Sequence, residues 1–438
     1  MVNLMGILAA VAGLILLTSR WRMHAFPVLF LGALLLAMLV KPLPEVLPLV
    51  REGFSRTLGA IGFLVIAGSF IAVVLERTGS AVQWARWLLY RLGARRAPLA
   101  LGLSGYLSGL LLFCDTGFIL LSSLVKSLGG QGGLSRPFLA GILAISLYTG
   151  HCLTPTHPGM LGALALIPAD FGLVLFFGAL AGLPGLLAAS FWLRRVEKFG
   201  DVDELQTLTG EKEPSGQASI PALIPVFLPL LFLIGGSWLT LIGHTPNSGT
   251  LAYSFQFVAQ PPVALTLGAI SAAFLLRPQS ITPLNEVIAQ ALERSGPVLL
   301  ITAAGGAFGG VIKEGLTGLP LLQWLGNSPL GLWIPFLLAV FLKIAQGSST
   351  IAVLTSAALM QPLLGPLGLD SPSDSLACVL ALGAGSMVFS HANDSYFWVI
   401  TQFSEITPQQ TARRFSIASA WCGVVSMGII QTGYALLG

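Results

Sequence analysis

The sequence predicts an all-α polytopic membrane protein built from two inverted-topology repeats, each with a re-entrant hairpin and a discontinuous transmembrane helix. Three observations carry this. Of its 438 residues 55% are hydrophobic and only 9% charged, with a mean hydropathy of +0.85. Most of its apolar runs approach the roughly 20 residues that a helix needs to cross a bilayer core. Two polar segments, 151–159 and 390–395, interrupt stretches otherwise as apolar as a span.

Taken in order, apolar runs at 3–19, 25–40 and 57–75 open the chain, and later runs occupy 171–193, 220–242, 261–276, 296–312 and 415–437. Their length and uniform apolarity suit helices, since a barrel strand alternates over only about 10 residues. The first run has no basic leader and no small-residue cleavage site, so a retained span is expected there. Arg77, Arg86, Arg91, Arg95 and Arg96 face the single acid Glu76, which places the connection 76–97 in the cytoplasm by the positive-inside rule.

Residues 98–128 form two short apolar arms either side of Phe113-Cys114-Asp115-Thr116-Gly117, with basic residues at both ends. A re-entrant hairpin that enters from and returns to the cytoplasm satisfies both. Residues 137–169 are apolar except for Gly150-His151-Cys152-Leu153-Thr154-Pro155-Thr156-His157-Pro158-Gly159, whose prolines and glycines predict a broken span. The hydrophilic stretch that follows divides the chain into an N-terminal repeat 1–200, a cytoplasmic linker 201–219 and a C-terminal repeat 220–438.

The second half repeats the order: two spans, an amphipathic stretch at 281–295, a span, a hairpin tipped by Gln346-Gly347-Ser348-Ser349-Thr350, a segment broken around His391 and a final span. Residues 67–88 align without gaps on 304–325, pairing Ala67 with Ala304, Gly68 with Gly305, Val74 with Val311, Trp87 with Trp324 and Leu88 with Leu325. Counting crossings turns the second copy upside down, with 313–329 outside and Arg277, Arg413 and Arg414 inside. Many secondary transporters build a midplane site from such repeats.

Composition and motifs exclude several classes. No HExxH or GxSxG pattern appears, so an enzyme is not expected. Cys114, Cys152, Cys378 and Cys422 lack metal-type spacing and read as free buried thiols, with no metal site and no cofactor. A net charge of +4 calls for no nucleic-acid partner; the expected partner on composition is the lipid bilayer, and the small anionic substrate is what the resemblance given below implies.

The anionic substrate implied by the resemblance below needs positive potential, and helix N-termini at the breaks and tips supply it without a permanent charge. The substrate-binding candidates are therefore Thr116, His151, Thr154, Thr156, His157, Ser348, Ser349, Thr350, His391, Asn393 and Ser395. Asp115 and Asp394 are the proton-coupling candidates, because a charge at that depth costs about 2.5 to 3.5 kcal/mol and protonation removes it. The three histidines are alternatives, since imidazole titrates near physiological pH. Lys343 is expected to snorkel to the interface, with attraction of substrate or neutralisation of an aspartate as its other readings. Asp170 and Glu405 fall at span ends.

These residues also carry a resemblance. Phe113-Cys114-Asp115-Thr116-Gly117-Phe118, His151–Gly159, Gly347-Ser348-Ser349-Thr350 and Ser390-His391-Ala392-Asn393-Asp394-Ser395 are similar, in order, to four motifs of the gluconate permease (gluconate:H+ symporter) family, part of a larger ion transporter superfamily. Thr154, Thr156, Met160 and Tyr396 depart from those motifs. The resemblance implies proton-coupled import of gluconate or a related sugar acid, a homodimer, opposed hairpins and a multi-pass location in the cell (inner) membrane. A sodium-coupled carboxylate transporter or a D-serine-type amino acid transporter is the alternative.

Overall fold

The computed structural model describes residues 2–437 apart from 22, 94–95, 111, 130–133, 198–223, 242–249, 277–281 and 317–329. The expected linker 201–219, Arg277 and the Trp324–Leu325 end of the internal alignment lie outside the described residues. All regular elements among them are helices. The first half runs α1 (Val2–Ser19), α2 (Ala25–Val40), α3 (Leu43–Arg77), α4 (Ser80–Leu92), α5 (Ala97–Gly109), α6 (Cys114–Leu128), α7 (Arg136–Leu153), α8 (Pro158–Leu166) and α9 (Phe171–Val196). The second runs α10 (Ile224–Leu241), α11 (Thr250–Val258), α12 (Pro261–Leu275), α13 (Thr282–Leu316), α14 (Trp333–Gln346), α15 (Ser349–Met360), α16 (Pro372–Met387) and α17 (Ser395–Phe403). A short turn, Pro408–Thr411, then leads through a π-turn into α18 (Ile417–Leu437).

The order is duplicated. Helices starting at 25, 43, 97, 114, 136 and 158 recur at 261, 282, 333, 349, 372 and 395, in each case 235 to 239 residues later. Six helical stretches among the described residues are long and apolar enough to cross a membrane, including Leu43–Arg77, Phe171–Val196 and Pro408–Leu436. Large apolar side chains such as Phe274 and Leu187 stand out from the surface at 77% and 71% exposure, as a lipid-facing surface requires.

α3 and α13 occupy corresponding places in the two halves and differ from expectation in the same way. Only 57–75 and 296–312 read as spans, yet each helix has 35 residues. At 1.5 Å per residue each is about 52 Å long, well beyond a hydrocarbon core of about 30 Å. The excess is the charged leading part of each, with Glu45, Arg51, Glu52 and Arg56 in one and Glu286, Glu293 and Arg294 in the other.

The two helices run antiparallel. Lys41, just before α3, pairs with Glu314 near the end of α13 at 3.1 Å, while Arg77 and Glu76 at the end of α3 pair with Glu286 at 3.0 Å and Arg294 at 2.6 Å near the start of α13. Between these ends the backbones touch at Gly53 and Gly306. A Cβ on Gly53 would lie 2.8 Å from the Gly306 carbonyl oxygen and 2.9 Å from Ala307 Cα. Because the obstacle is backbone, Gly53→Ala is expected to destabilise by about 1 to 3 kcal/mol. Gly59→Ala, with nothing within 4 Å, is expected to be neutral or to gain about 0.5 to 1 kcal/mol from helix propensity. Thermal unfolding in detergent compares the two, and equal melting points would refute the tight crossing.

The arginine-rich connection contains a helix, α4, in which Trp84 stacks on Trp87 at 4.9 Å and the Arg91 guanidinium lies 5.5 Å from the Trp87 ring. Aromatic and basic groups alternating on a short helix suit a headgroup layer. Basic residues of both halves gather at one further set of helix ends: Lys126 and Arg136 bind Glu405 at 2.6 and 3.4 Å, and Arg414 pairs with Glu197 at 4.0 Å. Glu405 thus sits at a span end, and Asp170 caps α9 by accepting from the Leu173 N–H at 2.8 Å.

Candidate functional site

The first break is written in its prolines. A residue before proline is pushed out of the helical region, and Thr154, before Pro155, takes φ −116° and ψ 141°. His157, before Pro158, takes φ −109° and ψ 152°, so α8 restarts with proline in its first turn. The hydroxyls then brace the gap. Thr154 Oγ1 donates to the Gly150 carbonyl at 2.7 Å, Thr156 Oγ1 donates to the Leu110 carbonyl, and the two hydroxyls are 3.0 Å apart. With both hydroxyl protons given to carbonyls, the Thr154–Thr156 contact has no proton of its own, and these threonines brace the break against α7 and the first hairpin in this conformation.

The second break contains no proline and is made by side-chain hydrogen bonds. Phe389 has φ +56°, a left-handed conformation that is costly for a bulky residue. It is over-determined by its surroundings: the Ser390 N–H donates to Ser419 Oγ at 3.1 Å, and Ser390 Oγ donates to Asp394 Oδ2. Asp394 then caps α17, its Oδ1 accepting from the Tyr396 N–H at 3.1 Å.

Each hairpin tip docks on the break of its own half. In the first, His157 Nε2 is 2.7 Å from the Gly109 carbonyl at the end of α5, and the Phe113 ring packs against His151 and His157 at 6.4 and 6.1 Å. The two imidazole centroids are 4.3 Å apart. In the second, the Ile344 carbonyl accepts from Asn393 Nδ2 at 2.8 Å and lies 3.2 Å from His391 Nε2.

Lys343 overturns its expected placement. It does not snorkel; at 1% exposure it is among the most completely buried side chains. Its ammonium donates to Asp394 Oδ2 at 2.5 Å and to the Gly347 carbonyl at 2.8 Å, and lies 5.5 Å from the Tyr148 ring centroid. The reason is local: Lys343 precedes Gly347 by four residues, so its stem reaches along the last turn of α14 to the helix C-terminus. There both the free carbonyl and the carboxylate favour a cation.

The helix N-termini at the centre are not alike. Ser348 caps α15 through the Ile351 N–H at 3.3 Å, and Asp394 caps α17. Neither Phe113 at α6 nor His157 at α8 supplies a side-chain cap. Of the four N-termini expected to face an anion, two are therefore self-capped and two, lying side by side through Phe113 and His157, are not. Asp115 and Thr116 are half-buried in the first turn of α6. Among the buried polar atoms without a hydrogen-bond partner in the described residues are Asp115 Oδ1 and His151 Nδ1 beside the first break and Asn393 Oδ1 at the second.

The halves meet at aromatic rings. Tyr396 stacks on Tyr148 at 5.5 Å and meets Phe118 edge-on at 6.0 Å, and its hydroxyl donates to the Ala144 carbonyl at 3.0 Å. Gly159 lies against the Thr350 backbone, and Ser349 is the half-buried first residue of α15. Ser395, by contrast, is exposed, and His391 is partly so. Beside the first break, Ser69, Phe113, Thr156 and His157 line a cavity of about 10 Å³, room for about one water. A larger void of about 290 Å³ lies away from the breaks, between α9, α10 and the α11–α12 corner.

Sequence reasoning did not single out Tyr148, and it placed Ser390 and Gly347 within motifs without assigning either a role. Tyr148 lies in the apolar part of the run 137–169, away from its polar break, and gave no signal. Gly347 gave one, because glycine four residues after a lysine at a predicted tip is a helix C-terminus in the making.

The model of the GntP family of permeases matches residues 2–435. The low-affinity gluconate transporter of Escherichia coli K12 is 29% identical over 463 residues, covering 100% of both chains. The Gnt-II system L-idonate transporter of the same organism is 28% identical over 433 residues, 96% of each. Among solved structures, Neisseria gonorrhoeae MtrF, described as illuminating a class of antimetabolite efflux pumps, superposes with a TM-score of 0.66 over 97% of both chains at 13% identity.

Proposed function

This chain belongs to the GntP family of permeases, and on that premise we propose that it imports a small hydroxylated carboxylate, gluconate or a related sugar acid, by proton symport. It is a multi-pass membrane transport protein and not an enzyme. The observation that carries the substrate class is the meeting of two uncapped helix N-termini, at Cys114 and Pro158, within a buried region that also holds Lys343. Free N–H groups and the positive ends of two helix dipoles favour a carboxylate, and the unpartnered Asp115, His151 and Asn393 atoms suit the hydroxyls that follow it. The relatives' named substrates, gluconate and L-idonate, have that chemistry.

Asp115 and Asp394 are the carboxyl groups of this reading. The antiparallel course of α3 and α13 supports inverted repeats, the architecture of carriers that open to one side at a time. A homodimer with no cofactor completes the reading.

The test is uptake of labelled gluconate by proteoliposomes under an inward proton gradient. Uptake is expected to collapse with a protonophore and to ignore sodium. Accumulation that follows a sodium gradient at fixed pH would replace protons with sodium. No uptake of gluconate or idonate under either gradient would refute the substrate class.

A further inference from the structure

We infer that Lys343 is the ligand of the substrate carboxylate and that Asp394 holds its place in the empty carrier. The incoming carboxylate takes the ammonium, and the released Asp394 carboxyl takes up the symported proton. The inference rests on the acid-transport reading above and supplies its coupling step.

The pair is built for exchange. Two of the three ammonium donors are used, one by Asp394 Oδ2 at 2.5 Å and one by the Gly347 carbonyl at 2.8 Å. A substrate carboxylate can therefore replace Asp394 while the Gly347 bond keeps Lys343 in position. Asp394 is equally prepared for either state. Its Oδ1 keeps the Tyr396 N–H throughout. Its Oδ2 accepts from the Ser390 hydroxyl when ionised, and a protonated Oδ2 donates to the same Ser390 oxygen once that hydroxyl turns, because a hydroxyl both donates and accepts.

Charge balance makes the proton obligatory. The empty pair, Lys343 and Asp394, holds one ammonium and one carboxylate, and sums to zero. With substrate bound it holds one ammonium, one substrate carboxylate and Asp394. It sums to zero again only if Asp394 gains one proton from water. An unprotonated Asp394 would remain as an uncompensated buried charge. One monoanion and one proton thus enter together, and the loaded carrier has the same charge as the empty one. The titratable groups facing this pair are Asp115 and Cys114 from α6, Tyr148, His151 and Cys152 from α7, and Tyr396 from α17. Of these, Asp115 is the acid that could take the proton instead.

The experiment is gluconate binding by purified full-length protein in weakly buffered detergent, with calorimetry for affinity and a pH-indicator dye for protons. The unaltered protein is expected to take up about one proton per gluconate bound, by the charge balance above. Asp394→Asn, which keeps the α17 cap, is expected to bind gluconate with pH-independent affinity and no proton uptake. Lys343→Met is expected to lose affinity by on the order of 100-fold. Lys343→Met/Asp394→Asn, which leaves no uncompensated charge, is expected to fold and to lose affinity equally. Full proton uptake in Asp394→Asn, or undiminished affinity in the folded double variant, overturns this inference and leaves the substrate reading intact. If the unaltered protein binds neither gluconate nor idonate, the substrate reading falls and this inference with it.

Discussion

Lys343→Met alone is expected to destabilise the folded protein by about 3 to 5 kcal/mol, whereas Lys343→Met/Asp394→Asn is expected to recover most of that loss. The asymmetry follows from burial. Lys343 and Asp394 are 1% and 6% exposed, so neither finds water when its partner is removed. Removing the ammonium strips Asp394 Oδ2 of its cation and leaves it only the Ser390 hydroxyl. Removing both charges leaves an amide that can still accept from the Tyr396 N–H and a thioether of similar length in an apolar cleft. The measurement is unfolding of the three proteins in detergent by heat or denaturant. Additive losses, with the double variant the least stable, would show that the two charges do not depend on each other. The ion pairs at the helix ends serve as contrast: Lys126, Arg136 and Glu405 are largely exposed, and their removal is expected to cost at most about 1 kcal/mol.

Most of the architecture was legible because the bilayer allows few solutions. Backbone groups in hydrocarbon must be satisfied locally, so apolar runs near span length become helices, and α1, α2, α9, α10, α12 and α18 follow the expected runs closely. The duplication was visible in the order of tips and breaks before any coordinate. Hydropathy failed where a helix leaves the membrane. The charged segments 43–56 and 282–295 are too polar to read as spans, yet they continue α3 and α13 because each buries an apolar stripe, Val46 and Val50 in one and Val287 and Ala291 in the other, while ion pairs tie the helix ends together.

The site was legible in part, for a related reason. Pro155 and Pro158 announce the first break and fix its backbone, so His151, Thr154, Thr156 and His157 fall together as expected. The second break lacks prolines, and its shape depends on contacts distant in sequence: Ser390 with Ser419, Asn393 with Ile344, Asp394 with Lys343. A lysine near a hairpin tip carries no mark of whether it turns to the headgroups or to the core. That choice depends on the free carbonyl at Gly347 and on a carboxylate 51 residues away.

Gly347→Ala is expected to reduce transport by on the order of 100-fold while leaving most of the protein folded. Two costs combine at this position. Gly347 has φ +81°, where an L-residue costs about 1 to 2 kcal/mol. A Cβ there would also lie 2.6 Å from the Asn393 carbonyl carbon, and a backbone atom cannot swing aside as a side-chain terminus can. The tip must then retreat from the second break, and with it the Gly347 carbonyl that holds Lys343 and the Ile344 carbonyl that holds Asn393. A displacement of about 1 Å at such a point is enough for a loss of that size. Gly368→Ala separates the two costs, since Gly368 has φ +64° but nothing within 4 Å of an added Cβ. That variant is expected to lose about 1 to 2 kcal/mol of stability and little transport. Initial uptake rates normalised to protein in the membrane, measured beside melting temperatures, decide the matter. Equal effects of the two substitutions would reduce Gly347 to a backbone requirement, and the docking of the second tip on Asn393 would then have no part in transport.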